Sequence, residues 1–235
     1  MLARDAYRLM VASGFMVSAC GPTARPQADA AKDSGAPAAA ASTPAVLLIG
    51  TSLTAGYGLD AADAWSAHLQ QRIDSSGLTF HVVNAGVSGE TSADALHRID
   101  WLLSQGVPAV VVVESGANDA LRGQPVDSIR ANVDAIVTRL DGLRPRPAIV
   151  IAGMEALPNL GRAYGDEFRR VFPAIARDHH DHYLPFLLNG VAGVESLNQA
   201  DGIHPNREGS RRVAENVWTA LRPILDSVQE AHGHL

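Results

Sequence analysis

The chain has 235 residues, of which 46% are hydrophobic, 19% charged and 5% aromatic, with one cysteine and a formal net charge of −6. This apolar fraction is enough for a core, which excludes wholesale disorder and a fibrous or collagen-like chain. The negative charge argues against a nucleic-acid partner, because nucleic-acid binders usually present a basic face. A single cysteine excludes an internal disulfide.

Residues 1–20 have the pattern of a secretory signal peptide. Two arginines open the segment, an apolar stretch follows at residues 9–17, and small residues come directly before Cys20. The stretch is shorter than the roughly 20 residues that span a bilayer, and small residues are typical of a cleavage point. The tetrapeptide that ends at Cys20 resembles a bacterial lipobox, so we expect export across the inner membrane and lipidation at Cys20. The alternative is an ordinary signal peptide with an incidental cysteine.

Residues 21–44 consist largely of alanine, proline, serine and glycine. Such a segment buries too little apolar surface to offset the entropy cost of ordering it, which predicts a disordered tether. The remaining residues, 45–235, have the size of one domain. We therefore expect a monomeric periplasmic domain that reaches a membrane only through the lipid at Cys20.

Within residues 45–235, short β-branched apolar runs alternate with helical patterns. The runs predict strands at residues 46–49, 79–83, 109–113, 148–152 and 183–187. Apolar residues spaced three and four apart predict helices around residues 65–73, 96–103, 129–140, 168–175 and 206–228. This alternation predicts an α/β fold with a doubly wound parallel sheet of five strands. The four consecutive valines at 110–113 favour a strand that is buried on both faces.

The loops after the predicted strands carry small and reactive side chains. They include Ser52, Gly89, Asn118, Asp201 and His204. Open α/β sheets bind ligands beyond the carboxyl ends of their strands, where such loops meet. We therefore expect these five residues to form one site.

Ser52 is the candidate nucleophile because it lies where the first strand gives way to a helix, whose N-terminus favours negative charge. A serine needs a base to activate it, and His204 is the best candidate. Asp201 precedes His204 by three residues, so its carboxylate can hold Nδ1–H and leave Nε2 free to accept the serine proton. The G-x-S-x-G elbow is absent, which excludes the common α/β-hydrolase arrangement.

An acyl-transfer enzyme also needs donors for the oxyanion that forms in the transition state. The backbone N–H groups of Ser52 and Gly89 and the side-chain amide of Asn118 are the candidates. Gly89 has no Cβ, and we expect this to let the main chain approach the oxyanion closely.

These residues occur in blocks that resemble a known family. Gly50-Thr51-Ser52-Leu53, Gly89, Gly116-Ala117-Asn118-Asp119 and the segment from Asp201 to Asn206 are similar in order and spacing to the blocks of the SGNH/GDSL hydrolase superfamily. More closely, residues 46–225 resemble the bacterial periplasmic thioesterase/lysophospholipase/arylesterase group. Two further segments fit that group, one with Leu121 and Arg122 and one with Leu157 and Pro158.

The resemblance implies a three-layer α/β/α, flavodoxin-like fold and hydrolysis of carboxylic esters or thioesters through an acyl-enzyme, without metal or cofactor. The esters would be aryl, short to medium acyl or lysophospholipid esters. It implies a catalytic triad of Ser52, Asp201 and His204 and an oxyanion hole of Ser52, Gly89 and Asn118. The residues expected to line the substrate site are Leu121, Arg122, Leu157 and Pro158.

Thr51 departs from the family, which usually has aspartate before the serine. The change removes a negative charge next to the nucleophile, so we expect activity with an altered rate or pH optimum. Two alternatives remain open. One is a carbohydrate acetylesterase on the same scaffold, which would prefer acetylated sugars. The other is a non-catalytic envelope lipoprotein that binds lipid, which a serine-directed fluorophosphonate would fail to label.

Two other features have simpler interpretations than chemistry. The Asp-His-His-Asp-His run at residues 178–182 suggests metal ligands, but no second cluster at ligand spacing supports it. We interpret this run as a solvated helix end before a strand. Ser88 and Glu90 flank Gly89 and are interpreted as turn and helix-start residues.

Overall fold

The structure, a computed structural model, describes residues 43–233. The predicted signal peptide, Cys20 and residues 21–42 of the predicted tether lie outside the described residues. None of the helices within residues 43–233 combines the length and apolar character needed to cross a membrane.

Five parallel strands form one sheet in the order β2-β1-β3-β4-β5. They are β1 (Ala45–Gly50), β2 (His81–Gly86), β3 (Val110–Val113), β4 (Ala148–Ala152) and β5 (His182–Leu184). The sheet runs in both directions from β1, which confirms the predicted doubly wound topology. All four valines of β3 are buried, because this strand lies in the middle of the sheet and both of its faces are covered.

Residues 43–233 contain seven α-helices. They are α1 (Ser52–Ala55), α2 (Trp65–Ser75), α3 (Ser92–Ser104), α4 (Ala117–Leu121), α5 (Val126–Asp141), α6 (Arg162–Asp178) and α7 (Arg207–Gly233). Helices α3, α5 and α6 pack side by side, whereas α2 packs against α7. Right-handed crossovers explain this division. The chain moves from β1 to β2 in one direction along the sheet and through β3, β4 and β5 in the other, which places α2 on the face opposite to α3, α5 and α6.

Two strand predictions were displaced. The second strand lies at His81–Gly86 and not at 79–83, and it is an edge strand with a largely exposed pattern that gives no apolar run to follow. Asn84 therefore lies within β2, where its amide donates to Thr54 O (2.7 Å) and Ser66 Oγ (2.8 Å). The fifth strand ends at Leu184, directly before Pro185, which has no N–H to donate to a strand ladder.

Candidate active site

Ser52 is the first residue of α1 and follows β1 after a single intervening residue. The turn is tightly packed: a Cβ on Gly50 would lie 2.1 Å from Thr54 Oγ1, and one on Gly86 would lie 2.3 Å from the Ala55 nitrogen. Glycine at the ends of both strands thus lets α1 begin directly on the edge of the sheet. The serine is presented at the carboxyl edge, as the sequence predicts.

The loop before α7 brings Asp201 and His204 to the same edge. Asn206 caps α7, because its Oδ1 accepts from the backbone N–H groups of Glu208 (3.0 Å) and Gly209 (3.1 Å). Gln199 joins this loop to the Ser52 side: its Nε2 donates to Tyr57 O (2.7 Å) and Pro205 O (3.0 Å), and its N–H donates to His204 O (2.8 Å).

The three predicted triad side chains form a continuous hydrogen-bonded row. His204 Nε2 lies 2.9 Å from Ser52 Oγ, and His204 Nδ1 lies 2.6 Å from Asp201 Oδ2. An ionised carboxylate only accepts, so Nδ1 carries the proton and the Nε2 lone pair faces the serine hydroxyl. The ring of Tyr57 lies against that of His204 with centroids 4.6 Å apart.

Asp201 is held as a carboxylate. Its hydrogen bond with the His204 side chain, and those from the backbone N–H groups of His204 (3.0 Å) and Ile203 (2.9 Å), lower the pKa of Asp201 to about 2. The aspartate therefore stays ionised near neutral pH and can orient the imidazole and stabilise its positive charge.

Gly89 lies in an exposed turn after β2 with a φ of +81°. A Cβ here would meet only Arg122 Nη2, at 4.0 Å. Its left-handed backbone conformation favours glycine at this position, and the open space around its Cα leaves the expected approach of an oxyanion to the main chain a prediction. Arg122 donates from Nη2 to Gly89 O (3.0 Å) and so holds the turn.

Asn118 lies in the first turn of α4, where its Nδ2 donates to Glu90 O (2.9 Å). One amide hydrogen is thus used within the protein, and the second remains to bind an oxyanion. The same contact connects the Asn118 loop to the Gly89 turn. The two predicted oxyanion segments are therefore brought together.

Glu90, interpreted from the sequence as a turn or helix-start residue, also makes a buried contact. It is buried and forms an ion pair with Arg98 through both Nε and Nη2 of the guanidinium, which also donates to Ala85 O (2.6 Å). The pair connects α3 to the end of β2 across the Gly89 turn. Ser88 is exposed.

Thr51 is buried and bonded to Glu114, a residue to which the sequence assigns no role. Glu114 directly follows β3, and its carboxyl group accepts from Thr51 N (2.7 Å), Thr51 Oγ1 (2.8 Å) and Thr54 Oγ1 (2.8 Å). Burial raises the pKa of Glu114, and the hydrogen bonds from the threonines oppose that rise. A carboxyl group thus lies beside the nucleophile turn although Thr51 itself carries no charge.

The predicted substrate-lining residues are exposed at the same edge. Leu121 ends α4, and Leu157 precedes a short 3₁₀ segment that begins at Pro158. Arg122 lies against the Gly89 turn, as described above. Exposed Tyr57, on the nucleophile side, was not among the predicted residues, since its contact with His204 spans a gap of 147 positions.

His179, directly after α6, takes part in ion pairs. His179 contacts Asp141 Oδ2 through Nδ1 (2.7 Å) and Asp134 Oδ1 through Nε2 (3.1 Å), and Arg146 bonds to Asp181 (2.6 Å). The helix does end here, at Asp178, but His179 is largely buried. Residues 43–233 hold no group of three or more His, Cys, Asp or Glu side chains suited to a metal ion.

Comparison with known proteins gives consistent results. Residues 48–212 match the GDSL-like Lipase/Acylhydrolase family. Esterase TesA of Pseudomonas aeruginosa is 40% identical over 182 residues, which cover 77% of this chain and 89% of that protein. Thioesterase 1/protease 1/lysophospholipase L1 of Escherichia coli K12 is 35% identical over 80% of this chain and 88% of its own length. The crystal structure of the psychrotrophic esterase EstA from Pseudoalteromonas sp. is similar with a TM-score of 0.73, 32% identity and coverage of 77% of this chain and 98% of that one.

The match to the family covers the turn with Ser52, both predicted oxyanion segments and the Asp201–His204 loop. The fold, with its five-stranded parallel sheet, agrees with that of the related esterase structure. The chain therefore belongs to the GDSL-like lipase/acylhydrolase family and is a hydrolase that acts on ester bonds.

Proposed function

We propose that this hydrolase works through an acyl-enzyme on Ser52, with His204 as base and acid and Asp201 as the group that orients it. The observation that carries the proposal is the row of hydrogen bonds from Asp201 Oδ2 through His204 to Ser52 Oγ, at 2.6 and 2.9 Å. This row gives the serine a base within reach and gives the base the tautomer that it needs.

The reaction proceeds in two halves. Ser52 Oγ attacks the carbonyl carbon while His204 Nε2 takes the hydroxyl proton, and the resulting imidazolium gives that proton to the leaving alcohol or thiol. Water then attacks the acyl-serine carbonyl and loses a proton to His204, which returns it to Ser52 Oγ as the carboxylic acid leaves. The tetrahedral oxyanion would bind to the N–H groups of Ser52 and Gly89 and the second amide hydrogen of Asn118.

The substrate class that fits best is an ester or thioester with an apolar acyl or aryl group. Five exposed apolar side chains belong to the loops around Ser52 and His204, namely Tyr57, Val87, Leu121, Leu157 and Ile203. Such a rim favours contact with hydrocarbon or aromatic groups over the hydroxyls of a sugar. The names of the relatives, an esterase and a thioesterase/lysophospholipase, support the same range. A carbohydrate acetylesterase is the second candidate.

Replacement of Ser52 tests the mechanism. We expect Ser52→Ala to lower kcat for p-nitrophenyl butyrate by about 10⁴–10⁶, as in other serine triads, and to abolish labelling by a fluorophosphonate. Ser88→Ala, which removes an exposed hydroxyl outside the triad, is the matched control and should behave as wild type. Substantial activity in Ser52→Ala would overturn the proposal.

A panel of p-nitrophenyl esters from acetate to palmitate, with matched thioesters, lysophospholipid and acetylated xylose, tests the substrate class. The apolar rim predicts higher kcat/KM for butyrate to octanoate than for acetyl sugar. A preference for the acetylated sugar would favour the second candidate.

We further propose that the enzyme is a monomer exported to the periplasm and tethered through a lipid on Cys20. The support is the lipobox-like end of residues 1–20 and the tether-like composition of residues 21–44. Metabolic labelling with an alkyne-tagged fatty acid should mark the wild-type protein and not Cys20→Ser. Equal labelling of both proteins would contradict the anchor.

A further inference from the structure

The turn that presents Ser52 rests on a buried carboxyl group. Glu114 is 1% exposed and receives three hydrogen bonds from the nucleophile turn. Two come from Thr51, directly before the serine, and one from Thr54, two positions after it. The Thr51–Glu114 contact spans 63 positions, so it connects β3 to the nucleophile turn.

Burying a carboxyl group without a basic partner costs free energy of desolvation, which a purely structural role would not require. The partners of the Glu114 carboxyl group are threonines, and among residues 43–233 no basic side chain forms an ion pair with it. Burial raises the pKa of this residue. An apolar side chain in the same place would avoid that desolvation cost. The carboxyl group is balanced only by the donors of the nucleophile turn, which are themselves buried threonines.

The side chains of Thr54 and Glu114 pack closely against Gly50. A Cβ on Gly50 would lie 2.1 Å from Thr54 Oγ1 and 2.6 Å from Glu114 Oε2. Any larger residue at position 50 would push the threonine and the glutamate apart. Gly50, Thr51, Thr54 and Glu114 thus form one close-packed unit beneath Ser52, which we call the nucleophile cradle.

We infer that Glu114 is a positioning residue that holds Ser52 in line with His204 by fixing Thr51 and Thr54. The inference rests on the role proposed above for Ser52. Hydrogen bonds at residues 51 and 54 restrict the turn on both sides of the serine, whose hydroxyl must stay within reach of His204 Nε2. Thr51 is thus part of the cradle, because its backbone N–H and its hydroxyl both donate to the carboxyl group of Glu114.

Turnover per active site separates positioning from folding. The active-site concentration of each variant is measured by titration with a fluorophosphonate, and kcat and KM for p-nitrophenyl butyrate are then expressed per titrated site. Thr51→Val keeps the side-chain shape and removes one hydrogen bond, so we expect kcat per site to fall about tenfold with KM within about twofold. Thr51→Ser, which restores the hydroxyl, should recover wild-type kcat.

Thr219→Val is the matched control, because this exposed threonine bonds only to Glu215 O of its own helix α7. Its kcat should equal that of the wild type. If Thr51→Val has wild-type kcat per titrated site, or merely fewer titratable sites, the threonine serves the fold alone and the inference is wrong.

Glu114→Gln supplies a second test, since it keeps the shape of the side chain and replaces one acceptor oxygen by a donor. We expect a loss of about tenfold in kcat per site. Because Thr51 and Glu114 share one interaction, Thr51→Val/Glu114→Gln should lose less than the product of the two single losses. If the double variant lost kcat by the full product of the two single losses, the two residues would act separately. An active Ser52→Ala would overturn the mechanism itself, whereas an inactive Ser52→Ala beside a fully active Thr51→Val would overturn only the cradle.

Discussion

Two Asp–His pairs lie at opposite edges of the sheet, and only one of them faces a hydroxyl. At the carboxyl edge, His204 bonds to Asp201 through Nδ1 and to Ser52 Oγ through Nε2. At the amino edge, near the start of β5, both ring nitrogens of His179 face carboxylates, those of Asp141 and Asp134. The two pairs have similar Nδ1 to carboxylate distances, 2.6 and 2.7 Å.

The difference lies in the second nitrogen. Burial lowers the pKa of His179, but the hydrogen bonds and charges of Asp141 and Asp134 outweigh it and raise the pKa above the ordinary value of 6.5. The raised pKa favours the protonated form, in which His179 donates from both nitrogens and has no lone pair for a substrate or a serine. Only the carboxyl-edge pair thus has the geometry of a base, because its second nitrogen faces a hydroxyl and not a carboxylate.

The largest effect should come from breaking the carboxyl-edge pair. We expect Asp201→Asn to lower kcat by about 10⁴, because the amide favours the wrong imidazole tautomer while its oxygen can still accept from the backbone of the loop. The measurement is kcat for p-nitrophenyl butyrate together with the thermal unfolding midpoint. Asp141→Asn makes the same change at the amino edge and should retain wild-type kcat. A loss of less than tenfold in Asp201→Asn would show that Asp201 does not set the tautomer.

A smaller effect should follow from loosening the loop that carries His204. Gln199→Leu removes the side-chain hydrogen bonds to Tyr57 O and Pro205 O but keeps the backbone bond to His204 O. We expect kcat/KM to fall about tenfold, since the bond to Tyr57 O, of about 1 kcal/mol, holds the loop against the nucleophile side and the bond to Pro205 O stiffens the loop itself. Gln229→Leu, which removes a side-chain bond to Thr79 N on the other side of the fold, is the control. Equal kcat/KM in the two variants would contradict this role for Gln199.

The sequence predicts the parts of the molecule that repeat or that form local motifs. The strand β3 follows from its continuous run of valines and the helices from their apolar stripes, and Asp201 and His204 lie three positions apart. The predicted position of the edge strand β2 was wrong by a few residues, because its side chains are largely exposed and show no clear apolar pattern.

The supporting residues of the site could not be predicted in the same way. Glu114 contacts a turn 60 and 63 positions earlier in the chain, and Gln199 contacts Tyr57 across 142 positions. Neither contact leaves a periodic or local trace, because each depends on which loops the sheet brings together. The sequence did contain one signal. Glu114 is an acidic residue directly after four valines that form a buried strand, and a carboxyl group so close to the core needs hydrogen-bond donors.

The smallest effect is expected at the amino-edge pair, and it concerns stability. The pKa of His179 is higher in the folded state than in the unfolded state, so protonation stabilises the fold. This stabilisation is complete below the pKa of the unfolded state and is lost as pH rises through the pKa of the folded state. His179→Gln should therefore lower the free energy of unfolding by less than about 1 kcal/mol at pH 5 and by less still at pH 9, as befits a partly solvated ion pair. Urea unfolding at both pH values measures this difference, with His182→Gln, an exposed histidine nearby, as the control. A larger loss at pH 9 than at pH 5 would show that His179 acts as a neutral imidazole, and a loss of kcat in His179→Gln would contradict the separation of the two edges.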